Sequence, residues 1–402
     1  MLKRVERARG LESKKPVPGV MLERPALIAR VKAHVSRELP PEAIRDEGLA
    51  LQLFGFIPTK FDYEAAEYAL LQDQLAGYYE PSDGTMYMAA DLGDEEADAT
   101  LAHELVHALQ DQRWNLEERS KYRPGDGDHS EVVSALAEGD ATSAMFDVMI
   151  ARAAPSSGKT AIDIADEVFA EQIRGGMDSG PGANAPHVMR TSLAAPYIYG
   201  TLFVHALRRH GGWDAVNRAW DNPPTTTEQL LHVDKWLSHE KAMPVAAPTF
   251  AALGAGWKVA DEDTEGELGA RIAFEEWMEP KAAAEASAGW GGDRGVLVTN
   301  GDKAAFAWKL RYDPGNKTLE DRAARAFAAL LKGLDKTFGP PKAASGNFAC
   351  RERPDRGPIA VDRAGADVVF VLGPVTTSAS GWASAGDCAL SKKWVREITT
   401  AR

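Results

Sequence analysis

Only two of the 402 residues are cysteine, Cys350 and Cys388, both late in the chain. At most one disulfide is therefore available. Sequence does not say whether the two pair, as would suit an oxidising compartment, or stand as separate reduced thiols. No apolar run approaches the ~20 residues that cross a bilayer, so no transmembrane segment is expected. Basic residues are in deficit, 46 Lys and Arg against 59 Asp and Glu, for a net charge of −13. That balance excludes nucleic acid as a partner and disfavours an anionic membrane surface. The first twenty residues carry Lys3, Arg4, Arg7, Arg9, Lys14 and Lys15 without an apolar h-region, so no signal peptide is visible. Internal repeats and low-complexity tracts are also missing. What remains, 44% hydrophobic and 26% charged residues, is an ordinary globular composition, long enough for two or three domains.

Within that composition one segment carries chemistry. Thr100 to Asp111 contains His103-Glu104-Leu-Val-His107 in a run with helical spacing of Leu101, Leu105 and Leu109. Residues four apart share a helix face, so His103 and His107 can offer two imidazoles to one ion, with zinc the expected metal. Glu104 would stand beside it as general base. Asp94, Glu95 and Glu96 load the start of the run with the negative charge a helix N-terminus favours. A plain core helix explains one buried histidine well, but two at this spacing with an adjacent glutamate poorly.

The third ligand decides the class of site. Gln110 and Arg113 stand where a metzincin would continue with Gly and His, which excludes that class. The next helical run, Ser130 to Thr142, presents Glu138 after enough chain for a loop and an antiparallel return. Ala135, Ala137, Gly139, Ala141 and Ala144 make that helix small-faced and apolar, so a mid-helix acid there needs a partner. Glu131, Asp140 and His129 are alternatives; Glu131 reads equally as a solvated first-turn acid. Asp111 is a candidate for orienting a histidine, or an exposed acid at its helix end. Two histidines, one glutamate and an open position describe a catalytic site.

With these residues the chain resembles the gluzincin class of zinc metallopeptidases, best known in thermolysin-like folds. Ala102–Gln112 and Ala137–Thr142 are similar to a bacterial family of uncharacterised metallopeptidases, as are Gly77-Tyr-Tyr-Glu-Pro81, Pro224–His232 and Gly289-Trp-Gly-Gly-Asp-Arg294. The likeness covers residues of about 20–300. It implies zinc held by His103, His107 and Glu138, a peptide or protein substrate, and an extracytoplasmic location (periplasmic, lipoprotein-like or secreted), with the cytoplasm as the alternative. One departure stands out: Thr142 occupies the position where that class commonly places a supporting Asp, so the support must differ or come from Asp140. The class also supplies an oxyanion donor from a helix beyond the zinc helices. Tyr197, Tyr199, His205 and His232 are candidates here, His232 first and Tyr199 with it as catalytic residues.

The expected architecture is α+β. A helical segment, 1–60, is broken at Pro40-Pro41 and Gly55–Pro58. A zinc-binding core, 61–155, opens with a helix over Phe61–Leu75. Its hairpin over Ala76–Ala89 turns at Pro81-Ser-Asp-Gly84, and in zincins such an edge strand pairs with extended substrate. A helical substrate-side subdomain, 156–285, includes a Gly/Pro/Ser-rich surface insertion at 156–186, a helix over 193–220 ended by Gly211-Gly212, and a capping box at Thr225-x-x-Glu228 leading to His232. A C-terminal α+β domain, 286–402, has strands at Val296–Thr299, Ala304–Arg311, Pro358–Asp362 and Val368–Leu372, with a helix over Leu319–Phe338. Gly289–Arg294 reads as a tight turn before it, without chemistry. The function these residues point to is zinc-dependent hydrolysis of a peptide bond. The rival readings are an inactive zinc-stabilised scaffold binding a partner, a regulatory factor cutting a single partner, and hydrolysis of a non-peptide amide.

Overall fold

The computed structural model describes residues 1–179, 181–314, 321–378 and 381–400. The fold is α+β, with two sheets among long helices. Sequence punctuation places the first helices. Pro25 and Pro41 sit in the opening turns of Arg24–Glu38 and Pro41–Phe54, where a missing amide costs nothing. Gly55, at φ 90°, ends the second in the left-handed conformation that glycine tolerates. The expected hairpin forms from Gly77–Glu80 and Thr85–Ala89, and Gly19–Leu22 adds to Thr85–Ala89 in parallel. The strand order leaves Gly77–Glu80 at an edge.

Three helices carry most of the expected site residues: Asp94–Trp114, Gly127–Ala153 and His187–Asp221, here the motif, glutamate and tyrosine helices. Helical geometry stops at Gly211-Gly212 as expected, with φ −161°, ψ 27° and φ 62°, ψ −160°, and a second helix follows directly to Asp221. The small face of the glutamate helix is used to its limit. A Cβ on Gly139 would lie 2.0 Å from the Gly200 carbonyl carbon, and one on Gly200 would lie 1.8 Å from the Ala135 oxygen. The glutamate and tyrosine helices thus cross backbone against backbone. The N-terminal helix Leu2–Arg9 is locked to this region by Arg9, fully buried, which pairs with the equally buried Asp140 at 2.5 and 3.0 Å.

The larger sheet is antiparallel. Its order is Lys258–Asp263, Trp290–Asn300, Lys303–Tyr312, Asp367–Thr376, Ile359–Ala364, Phe348–Arg351, Ala343–Ser345, with Ala383–Ser384 beside Asp367–Thr376. Side chains alternate between two buried faces. Phe306, Trp308, Phe370 and Leu372 pack with the Arg322–Phe338 helix, while Ala305, Ala307, Val369 and Val371 pack with the Cys388–Thr400 helix. Cys350 and Cys388 are bonded across that second interface. Leu319 and Glu320, where the first of these helices was expected to begin, lie outside the described residues, as does Gly180 of the 156–186 insertion.

Three expectations need correction. Gly289–Arg294 is not a turn: Trp290 opens an eleven-residue strand, and the Asp293 carboxylate accepts from both the Trp290 and Trp308 indoles at 2.9 and 2.7 Å. The sheet begins at Lys258, upstream of residue 286, and Leu53 and Phe54 from the N-terminal segment pack into its core. The helix leading to His232 is capped by Thr226, whose hydroxyl accepts from the Gln229 amide, not by Thr225. No helix among the described residues is long and apolar enough to cross a membrane.

Candidate metal centre

The motif and glutamate helices pack so that three donor atoms converge. His103 Nε2 lies 3.0 Å from His107 Nε2 and 3.0 Å from Glu138 Oε2, and His107 Nε2 lies 3.5 Å from the same oxygen. A tetrahedral zinc with bonds of about 2.0–2.1 Å holds neighbouring donors about 3.3 Å apart, so the triangle has the size such an ion requires. Its chemistry fits as well. The amide NH2 of Gln110 is committed to the Ala137 carbonyl at 3.0 Å, which turns Gln110 Oε1 toward His107 Nδ1 at 2.8 Å. Nδ1 therefore carries the proton and Nε2 offers its lone pair to the triangle.

Electrostatics ask for a cation at this point. Burial works to lower the His107 pKa, but the Glu138 carboxylate beside it outweighs burial and raises the imidazole to about 9. Burial likewise opposes the charge on Glu138, yet the two imidazoles hold it well below the ordinary carboxylate range. A divalent ion would meet the same demand in place of the imidazolium proton. A second group of acids, Glu228, Glu240 and Asp313, already has its cation: Lys235 Nζ sits at 2.5, 2.7 and 2.7 Å from the three.

Glu104 faces the same cleft, a cavity of about 470 Å³ that also holds Tyr197 and the Gly77–Glu80 strand. The Tyr79 amide donates to Glu104 Oε2 at 2.8 Å, so Tyr79 turns its backbone outward from the sheet. By the two-residue period of a strand, Gly77 does so too, leaving polar backbone along the cleft wall. The Tyr79 hydroxyl donates to Asp111 at 2.9 Å, two turns along the motif helix. One tyrosine thus clamps the edge strand to the helix at both ends.

The other expected residues divide sharply. Asp111 anchors Tyr79 and the Leu116 amide, not a histidine. Asp140 is occupied by Arg9 and by the Trp220 indole at 2.8 Å, so it supports no ligand, and Gln110 fills that role. Glu131 and His129 stand outside the donor triangle. Nor is Glu131 a solvated acid, since its Oε1 is buried without a partner and burial raises its pKa to about 7.

Among the oxyanion candidates, His232 and Tyr199 are corrected. His232 Nε2 pairs with Glu267 at 2.9 Å, because its short helix packs on Gly266–Glu275. Tyr199 points away from the cleft, with the Arg271 guanidinium over its ring at 4.8 Å. His205 is fully buried against Phe169, and burial lowers its pKa to about 4. Tyr197 is the candidate on the cleft, its ring centroid 6.1 Å from that of His103. The Glu138 charge, and burial with it, raise its pKa far above the ordinary tyrosine value, so it remains a proton-bearing phenol. Positions 197 and 199 are two residues apart on a helix and cannot face one site together. Gln110 was missed by sequence reasoning, although its i,i+3 spacing from His107 was a usable signal. The Tyr79 amide offered none.

Residues 215–382 match the model of a family described as a domain of unknown function (DUF8575). The match takes in most of the larger sheet and leaves His103, His107 and Glu138 outside it. No curated protein matches the chain.

Proposed function

We propose that the chain is a gluzincin-like zinc metallopeptidase, in which His103, His107 and Glu138 hold the metal. The observation that carries this reading is the convergence of three donor atoms at the wall of a cleft that also contains Glu104. A zinc ion there would supply Lewis acidity toward a peptide carbonyl and make water easier to deprotonate. Glu104 accepts the proton of the attacking water and passes it to the leaving amine, held in place for both steps by the Tyr79 amide. The Tyr197 phenol donates a hydrogen bond to the oxygen on which negative charge develops. Extended peptide lies along the Gly77–Glu80 edge, where outward backbone groups pair with it. The Cys350–Cys388 disulfide supports a place in an oxidising, extracytoplasmic compartment.

Zinc content and turnover, measured together, test the assignment. Glu104→Gln should retain about one zinc per chain and lose hydrolysis by about 10² or more, as expected for a general base. Glu138→Ala should lose the zinc itself. Undiminished proteolysis by Glu104→Gln would sink the reading, and a native chain without bound zinc after chelator-free preparation would count as heavily against it.

A further inference from the structure

The bases of this acidic chain are not spread evenly. A cavity of about 680 Å³, sharing no lining residue with the metal cleft, is walled by Arg4, Arg7, Arg152, Lys159 and Arg208. Among the described residues, Asp147 is the one acid in that wall. Three helices converge to build it. The N-terminal helix Leu2–Arg9 supplies Arg4 and Arg7, neighbours on its surface at three-residue spacing. Between them Val5 packs with Ala141, Ala144 and Val148 of the glutamate helix, which brings the pair alongside Arg152. The tyrosine helix adds Arg208, and Trp213 follows just beyond the Gly211-Gly212 break.

Two of the five cations are already answered. Arg208, buried, is held by the Asp147 carboxylate at 2.6 Å and the Ser143 hydroxyl at 2.7 Å, its guanidinium 4.0 Å over the Trp213 ring. Arg152 pairs with Asp98, outside the cavity. Arg4, Arg7 and Lys159 have no carboxylate at ion-pair distance among the described residues. With 59 acids to 46 bases in the chain, three unanswered cations about one cavity are a departure that composition does not explain. They repel one another, and a concave wall of one sign concentrates counter-ions.

We propose that this cavity binds a small polyvalent oxyanion, a phosphorylated or polycarboxylate compound, on Arg4, Arg7 and Lys159. Forked guanidinium donors match the paired oxygens of either group, and separate cations ask for more than one charge on the ligand. The volume is that of a small-molecule site, and Trp213, Val148 and Pro155 offer apolar surface to a carbon skeleton. The site does not depend on the peptidase reading.

Calorimetry on the full chain at about 0.15 M ionic strength tests it, with fructose 1,6-bisphosphate and tricarballylate as probes. Saturable binding of the bisphosphate alone assigns phosphate esters, and binding of tricarballylate alone assigns polycarboxylates. Arg7→Gln and Lys159→Gln should each weaken the bound probe about ten-fold, the cost of one charged hydrogen bond. Neither should lower the melting temperature without ligand, because both side chains are exposed and unpaired. Lys258→Gln, an exposed lysine of the larger sheet, should change nothing. Glu138→Ala should bind the probe as the native chain does, and loss of binding there would place the anion at the metal centre and overturn the site. So would binding of neither probe, or binding that both Arg7→Gln and Lys159→Gln leave intact.

Discussion

Glu138 touches two imidazoles, and one of them, His107, is held in place by Gln110. Gln110 spends both ends of its amide, one on the Ala137 carbonyl and one on His107. Replacing it by Leu keeps the volume and removes the orienting acceptor. Zinc affinity should then fall about 10–100-fold, read by competition with a calibrated chelator. Tyr197 stands in the same cleft beside His103, where it is the proposed oxyanion donor. Tyr197→Phe should leave zinc content and KM nearly unchanged and lower kcat by about 10²–10³, the usual cost of an oxyanion donor. An equal rise in KM would instead assign the hydroxyl to substrate binding.

The elements set these side chains by how closely they approach. Gly139 and Gly200 let the glutamate and tyrosine helices meet backbone to backbone, which brings Glu138 and Tyr197 to one cleft. Gly200→Ala would place a methyl 1.8 Å from the Ala135 oxygen, so the helices must part. We expect a loss of about 3 kcal/mol, at the upper end of overpacking penalties, seen as a lower denaturant midpoint at unchanged m. Gly176→Ala on the Asp166–Ser179 helix is the control. Its Cβ meets nothing within 4 Å, and stability should hold or rise slightly. The clamp by Tyr79 works at the same scale, joining an edge strand to a helix through one amide and one hydroxyl.

At the scale of the molecule, acids are buried where the helical region meets the larger sheet. Asp128, on the glutamate helix, accepts from the Thr227 amide and hydroxyl at 2.8 and 2.6 Å, while Asp293, on the sheet, accepts from the Glu265 and Gly266 amides. Burial raises Asp128 and Glu131 to about 7 and Asp293 to about 6, against roughly 4 for unfolded carboxyls. Between pH of about 4 and 7 the folded chain therefore holds protons that the unfolded chain has released. Their contribution is fully present below about 4 and is lost as pH rises through about 7. The metal-free protein should accordingly melt at a higher temperature at pH 5 than at pH 8. Glu131→Gln should raise the pH 8 value and flatten the difference, and a profile that climbs with pH would refute the assignment.

Local chemistry alone determined a good deal. The i,i+4 histidines, the first-turn acids, the hairpin turn at Pro81–Gly84 and the alternating strands all depend on residues near one another in the chain, and spacing reports such contacts. Glu138 was legible because a mid-helix acid among small apolar residues demands a partner. Tertiary packing decided the rest. It placed Tyr197 on the cleft and His232 and Tyr199 off it, gave Asp140 to Arg9, and made a strand of Gly289–Arg294. Each of those outcomes depends on which helix face meets which neighbour. That is settled by contacts between residues far apart in sequence, such as Gly139 with Gly200, whose energies no local pattern encodes.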